Sequence, residues 1–241
     1  MTHPDLTTPA SAERADKALP ADKAPTDAET LPSPRQEQAM PAWALACSPR
    51  PGGNSDFLAR RFARGFSGGG MPMEVFPLRQ HAVSPCIACY RCERDPEGAC
   101  PLAADDDSSQ LFDIMMRAPA LCIVAPIFFY HLPAQMKAFI DRGQSYWLRR
   151  ARGDAAMHAL PRRQASVILV AGRKRGDKLF EGSLVTLRFF LGMFNFTMTE
   201  PLTLLGYDAI DAASSSLDLG ERITMLGATA AQSLASGQNE A

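Results

Sequence analysis

Four cysteines, Cys86, Cys89, Cys92 and Cys100, form a C-x2-C-x2-C-x7-C pattern that Pro101 follows. Thiolates at every third position can wrap one face of an iron-sulfur cube. Pro96 and Gly98 leave slack for the fourth cysteine to fold back, so one [4Fe-4S] cluster is geometrically reasonable. The alternatives are a zinc site, a redox-active dithiol or plain structural cysteines. Zinc ligand pairs are usually separated by a longer span. Cys47 and Cys122 lie inside apolar runs and read as small core residues.

A second constellation is Ser48-Pro49-Arg50-Pro51-Gly52-Gly53-Asn54-Ser55, placed just ahead of a helical pattern. Hydroxyls, an arginine, an asparagine and glycines at a helix N-terminus are the parts of a phosphate nest. No Gly-Lys-Ser/Thr follows, and no G-x-G-x-x-G is present, which excludes a nucleoside-triphosphate loop and a dinucleotide fingerprint. A phosphomonoester such as that of FMN fits better. The plain alternative is a polar turn with Asn54 or Ser55 as the helix N-cap. A third segment, Ala125-Pro126-Ile127-Phe128-Phe129-Tyr130, is apolar and aromatic where a surface turn is normally polar. A flat apolar group covering it is the expectation.

The surrounding elements must bring these segments together. Apolar runs at Ala42–Cys47, Met73–Leu78, Leu121–Ala125, Val167–Ala171 and Pro201–Leu205 read as strands. Between them, Leu58, Phe62 and Phe66, then Leu111, Ile114 and Met115, then Met136, Phe139 and Ile140 behind Pro133, repeat at helical spacing. Helices are also expected over about Leu179–Phe194 and Leu217–Leu234. Aromatics Phe180, Phe189, Phe190, Phe194 and Phe196 read as core or subunit interface. The alternation implies an α/β fold, a doubly wound five-stranded parallel sheet with helices on both faces. In such sheets ligands bind at the carboxyl ends of the strands, beside a topological switch point.

The Ser-Pro-Arg-x-Gly-Gly-Asn-Ser loop, Ala-Pro-Ile-Phe-Phe, and Pro-Ala-Gln-Met-Lys-Ala-Phe-Ile-Asp-Arg over residues 133–142 together resemble one family. It is the NADPH-dependent FMN reductase and iron-sulfur flavoprotein branch of the flavodoxin-like superfamily. The resemblance spans about Ala42 to Leu205. It implies a flavodoxin-like fold and FMN whose phosphate is held by Ser48, Arg50, Asn54 and Ser55. Pro126, Ile127, Phe128 and Phe129 would line the isoalloxazine ring, with Ala171, Gly172 and Arg173 as a further wall. Cys86, Cys89, Cys92 and Cys100 would hold a [4Fe-4S] cluster, NAD(P)H would be the co-substrate, and a homodimer or higher homo-oligomer is expected.

His131 reads either as a proton donor or as a surface or capping group. Trp147 to Arg163, with five arginines, reads as a solvated loop or as a cover for a partner's flavin. A formal net charge of −1 gives no field to gather nucleic acid or an anionic membrane. The partners expected are a small-molecule electron acceptor or a redox protein. With no apolar run long enough for a membrane span and no secretory-signal pattern, the chain is expected in the cytoplasm. Residues 1–40 read as a disordered N-terminal tail, and 41–238 as the FMN-binding domain with a cysteine-rich loop at 84–102.

Overall fold

The computed structural model describes residues 40–237, so the expected tail lies outside the described residues apart from Met40. Strand β1 (Ala42–Ala46) leads into helix α1 (Asn54–Gly68). Strand β2 (Met73–Pro77) leads into a long loop that contains the single turn α2 (Arg91–Arg94). Then follow α3 (Ser108–Arg117), β3 (Ala120–Pro126), α4 (Ala134–Arg142), α5 (Gln144–Ala151) and α6 (Ala155–His158). The chain continues with β4 (Arg163–Ala171), α7 (Glu181–Met193), β5 (Phe196–Met198), β6 (Leu202–Leu205) and α8 (Leu217–Ala235). Among the described residues no helix is long and apolar enough to cross a membrane.

The sheet is parallel throughout and runs β2-β1-β3-β4-β5, with β6 also on β4. It has six strands rather than the five expected, because the last edge position is shared. Arg163–Ala165 pair with β5, and Ile168–Ala171 pair with β6. Between them Pro201 has no N–H to give the ladder, and the Thr199 amide donates to Ala165 O at 3.0 Å. A strand of three residues is too short to show alternation in sequence.

Strand alternation divides the core in two. Leu45, Leu121, Ile123, Val167 and Leu169 face α3, α4 and α7, while Ala44, Cys122, Val124, Ile168 and Val170 face α1 and α8. On the second face α1 and α8 cross closely at two glycines. A Cβ on Gly65 would stand 1.8 Å from Thr224 O, and one on Gly227 would stand 2.2 Å from Phe62 O. Only glycine permits this crossing.

The segment 147–163 is not a solvated loop. It is largely α5 and α6, and Arg163 is buried in β4. The Arg163 guanidinium donates to the carbonyls of Met115, Met116 and Ala118 at the end of α3 and to Phe194 O at the end of α7. It also lies 4.0 Å from the Phe196 ring centroid. The C-terminal poles of two helices thus balance its charge, and burial pulls its pKa down to about 10. Of the aromatics expected in the core or a subunit interface, Phe190, Phe194 and Phe196 are core, whereas Phe189 is exposed.

Candidate functional site: a cleft at the strand ends

The order β2-β1-β3-β4 reverses direction between β1 and β3, and the loops leaving β1, β3 and β4 open into one cavity of about 520 Å³. Ser48, Arg50, Asn54, Ser55, Pro126, Ile127, Phe128, Phe129, Ala171, Gly172 and Arg173 all line it. The helix N-cap is Gly53, not Asn54 or Ser55, which places both residues in the first turn of α1. Helix geometry leaves the first amides of α1 without backbone acceptors, and Asn54 and Ser55, which carry two of them, line the cavity.

Asn54 is spent elsewhere. Its Nδ2 donates to Tyr207 O (3.0 Å) and Ala209 O (2.8 Å), and its Oδ1 accepts from the Ala213 amide (2.9 Å). Only its main-chain N–H is left for an anion. The loop is braced by two residues that sequence reasoning missed. The Asp56 carboxylate accepts from the Gly52 amide at 2.8 Å and takes a bidentate pair from Arg79 at 2.8 and 2.9 Å. An acid in the first helical turn is the signal that could have found Asp56. Arg79 lies beyond β2 and carries no local signal.

After β3, the Phe128 amide donates to His131 O (2.8 Å) and the His131 amide donates to Phe128 O (3.0 Å), closing a two-residue turn. Its central residues, Phe129 and Tyr130, are both left-handed, with φ +48° and +64°. Asn-Gly is the ordinary choice there, and each non-glycine in this conformation costs about 1–2 kcal/mol. The two main-chain hydrogen bonds hold this strained turn, which leaves Phe129 fully exposed beside the cavity it lines. The Arg173 guanidinium lies 5.8 Å from the Tyr130 ring centroid. His131 Nε2 sits 3.2 Å from Thr186 Oγ1, which ties the turn to α7. Tyr207 and Asp208, beyond β6, also line the cavity and were not expected. Their only sequence signal is their place after a strand's carboxyl end.

The donor set fits FMN. Ser48, Arg50, Ser55 and the apolar aromatic segment 126–130 line the same cavity, and the Ser48 hydroxyl also bonds the Arg50 main chain at 3.2 and 3.3 Å.

The cysteine loop is separate. Cys86, Cys89, Cys92 and Cys100 line a cavity of about 460 Å³ together with Tyr90, Trp147 and Leu148. Burial raises the Cys92 thiol pKa, and the neighbouring Cys100, Cys89 and Cys86 raise it further. Among the described residues no three His, Cys, Asp or Glu side chains close round a single-ion position. The four thiols line one cavity, and thiolate sulfur is a donor that iron-sulfur clusters and zinc both use. Cys47 and Cys122 are core, and burial pushes the Cys47 thiol up to about 12.

The stem of this loop is a buried ion pair. Arg142 donates to Asp106 Oδ2 (2.5 Å), Ser84 O (3.1 Å) and Ser108 Oγ (2.8 Å), and the Ser84 amide donates to Asp106 Oδ2 (2.9 Å). Gln135 Nε2 donates to Leu78 O and His81 O, each at 2.8 Å. Two polar residues of α4 therefore clamp the chain on either side of the loop's start. Burial alone would raise the Asp106 pKa, but hydrogen bonds from Ser108, Ser84 and Arg142 outweigh it and bring it down to about 2.

A lowered carboxylate pKa stabilises the fold above the unfolded value of 3.8, and that contribution is lost as pH falls through about 2. At 1.36 kcal/mol per unit, it is about 2 kcal/mol. Urea midpoints at about pH 5 and about pH 2.5 should therefore differ less in Asp106→Asn than in the wild-type chain.

The sheet order and the strand-end cleft define a flavodoxin-like α/β protein. The profile of the family described as NADPH-dependent FMN reductase matches residues 40–199. The chain belongs to that family, one of oxidoreductases. An iron-sulfur flavoprotein of Methanocaldococcus jannaschii is 30% identical over 105 residues, 44% of this chain and 52% of that protein. The chain thus spans about half the length of that relative. An iron-sulfur flavoprotein of Methanosarcina thermophila is 28% identical over 139 residues, 58% of this chain and 67% of that protein. Among solved structures, the NAD(P)H:quinone oxidoreductase of Methanothermobacter marburgensis shares the fold with a TM-score of 0.54 and 22% identity, over 82% of this chain and 98% of that one.

Proposed function

We propose that this chain is an FMN-dependent oxidoreductase taking electrons from NAD(P)H or a redox carrier and passing them to a small acceptor such as a flavin, a quinone or a nitro compound. The observation that carries this reading is the meeting of a phosphate-type loop and an apolar aromatic loop in one cavity at the switch point. Ser48, Arg50, Ser55 and the first amides of α1 would bind the phosphate, Asn54 through its main chain. Pro126 to Phe129 would cover the ring, and Ala171 to Arg173 would close the side opposite. FMN, when bound, supplies one- and two-electron transfer. The chain's part is to bind, orient and exclude water.

The names of the archaeal relatives and the cysteine cavity support a [4Fe-4S] cluster held by Cys86, Cys89, Cys92 and Cys100. Membership of the family supports a homodimer or higher homo-oligomer; the cytoplasm is proposed as its location. An anaerobic absorption spectrum with flavin and iron quantified tests the reading. Flavin bands with about four irons per chain are expected, and NADPH should bleach them. Flavin without iron would remove the cluster, failure of NADPH to bleach would leave a carrier fed by redox proteins, and absence of both groups would sink the proposal.

A further inference from the structure

The segment after β6 is fixed more firmly than a connecting loop requires. The Gly206 amide donates to Arg173 O (2.9 Å) and the Tyr207 amide to Ala171 O (3.1 Å), which fastens it to the loop after β4. On its other side the buried Asn54 gives its whole amide to Tyr207, Ala209 and Ala213, which fastens it to the first turn of α1. The segment therefore bridges the two loops that meet at the cavity. Asp208 lies at the middle of that bridge and lines the cavity. Its carboxylate rests on Gly172, where a Cβ would come within 2.4 Å of Asp208 Oδ1. Neither Arg50 nor Arg173, both lining the same cavity, forms an ion pair with it among the described residues.

From this placement we infer that Asp208 is a flavin-recognition residue on a fourth wall of the cleft, and that Asn54 is the positioning residue that holds the wall in place. The inference rests on the FMN reading. An ionised carboxylate only accepts hydrogen bonds, so it selects an N–H or O–H donor and contributes nothing to a phosphate. Flavins carry such donors on the ring imide and on the ribityl chain. A side chain at Gly172 would push the carboxylate out of this position.

The test is fluorescence titration of flavin-free full-length protein with FMN, riboflavin and lumiflavin, which lacks the ribityl chain. Asp208 is exposed, so Asp208→Ala should fold. FMN and riboflavin are expected to weaken by the same factor, roughly tenfold or more, as for the loss of a bond to a charged acceptor. Equal weakening of lumiflavin assigns the bond to the ring imide, and unchanged lumiflavin assigns it to the ribityl hydroxyls. Unchanged FMN and riboflavin binding would overturn the inference, as would a loss confined to FMN. Wild-type protein that binds no flavin would overturn the FMN reading as well, so the two failures are distinguishable. For Asn54, a double-mutant cycle is decisive. Asn54→Ala should weaken riboflavin in the wild-type background yet cost less than about twofold once Asp208 is alanine, whereas additive losses would make Asn54 merely structural.

Discussion

Replacing Arg163 by alanine is expected to lower the unfolding free energy by roughly 3–5 kcal/mol, the range for stripping a buried charge from its partners. The side chain meets four carbonyl oxygens at 2.6–3.1 Å. Each buried acceptor left unpaired costs about 1–3 kcal/mol, and water entering the space would restore part of that. The four acceptors terminate α3 and α7, so both helices should fray at their C-terminal ends. Arg163→Lys keeps the charge but loses the planar fork that reaches several carbonyls at once, and should fall between the two. Urea unfolding followed by circular dichroism checks the order wild type, lysine, alanine. A loss of less than about 1 kcal/mol for alanine would mean that desolvating the guanidinium cancels its hydrogen bonds.

The second large effect is expected at Arg142. Its side chain is buried with the Asp106 carboxylate, and together they hold Ser84 and Ser108 at the two ends of the cysteine loop. Arg142→Ala leaves an unpaired buried carboxylate, a loss of roughly 3–5 kcal/mol. Part of it should appear as local opening, because the loop itself adds few buried apolar contacts. Tryptic cleavage after Arg91 and Arg94 should then accelerate by at least about tenfold under native conditions, since proteolysis follows the open population. Asp106→Asn keeps the shape and loses the charge, and should show a smaller acceleration. If cleavage in Arg142→Ala matched the wild type, the loop would be held by its other anchors, such as the Arg152 guanidinium on the carbonyls of Glu93 and Asp95.

Both arginines show how polar residues divide between what a sequence reveals and what it conceals. Arg142 closes a motif that was read for its apolar spacing, Met136 and Phe139 inward, and its own role could not be seen there. Arg163 reads like the other arginines of 147–163 because its immediate neighbours, Arg162 and Gln164, are polar. The charge of each is settled by groups about 30 to 50 residues away along the chain. The split edge strand has the same origin. Phe196–Met198 belongs to the sheet only because Arg163–Ala165 lies beside it.

The sequence by itself determined the alternation of strands and helices, the two faces of the sheet, and the kinds of loop at the carboxyl ends of β1 and β3. Those signals are local: strand and helix periods, glycines before a helix, and cysteines at every third position act within a few residues of one another. Only the tertiary structure decided that the Asn54 amide turns to the loop after β6, that Asp56 is paired with Arg79, and that Tyr207 and Asp208 join the cleft. Each of those outcomes depends on a partner brought near by the parallel crossovers. A buried polar group must find its hydrogen bonds wherever the fold supplies them.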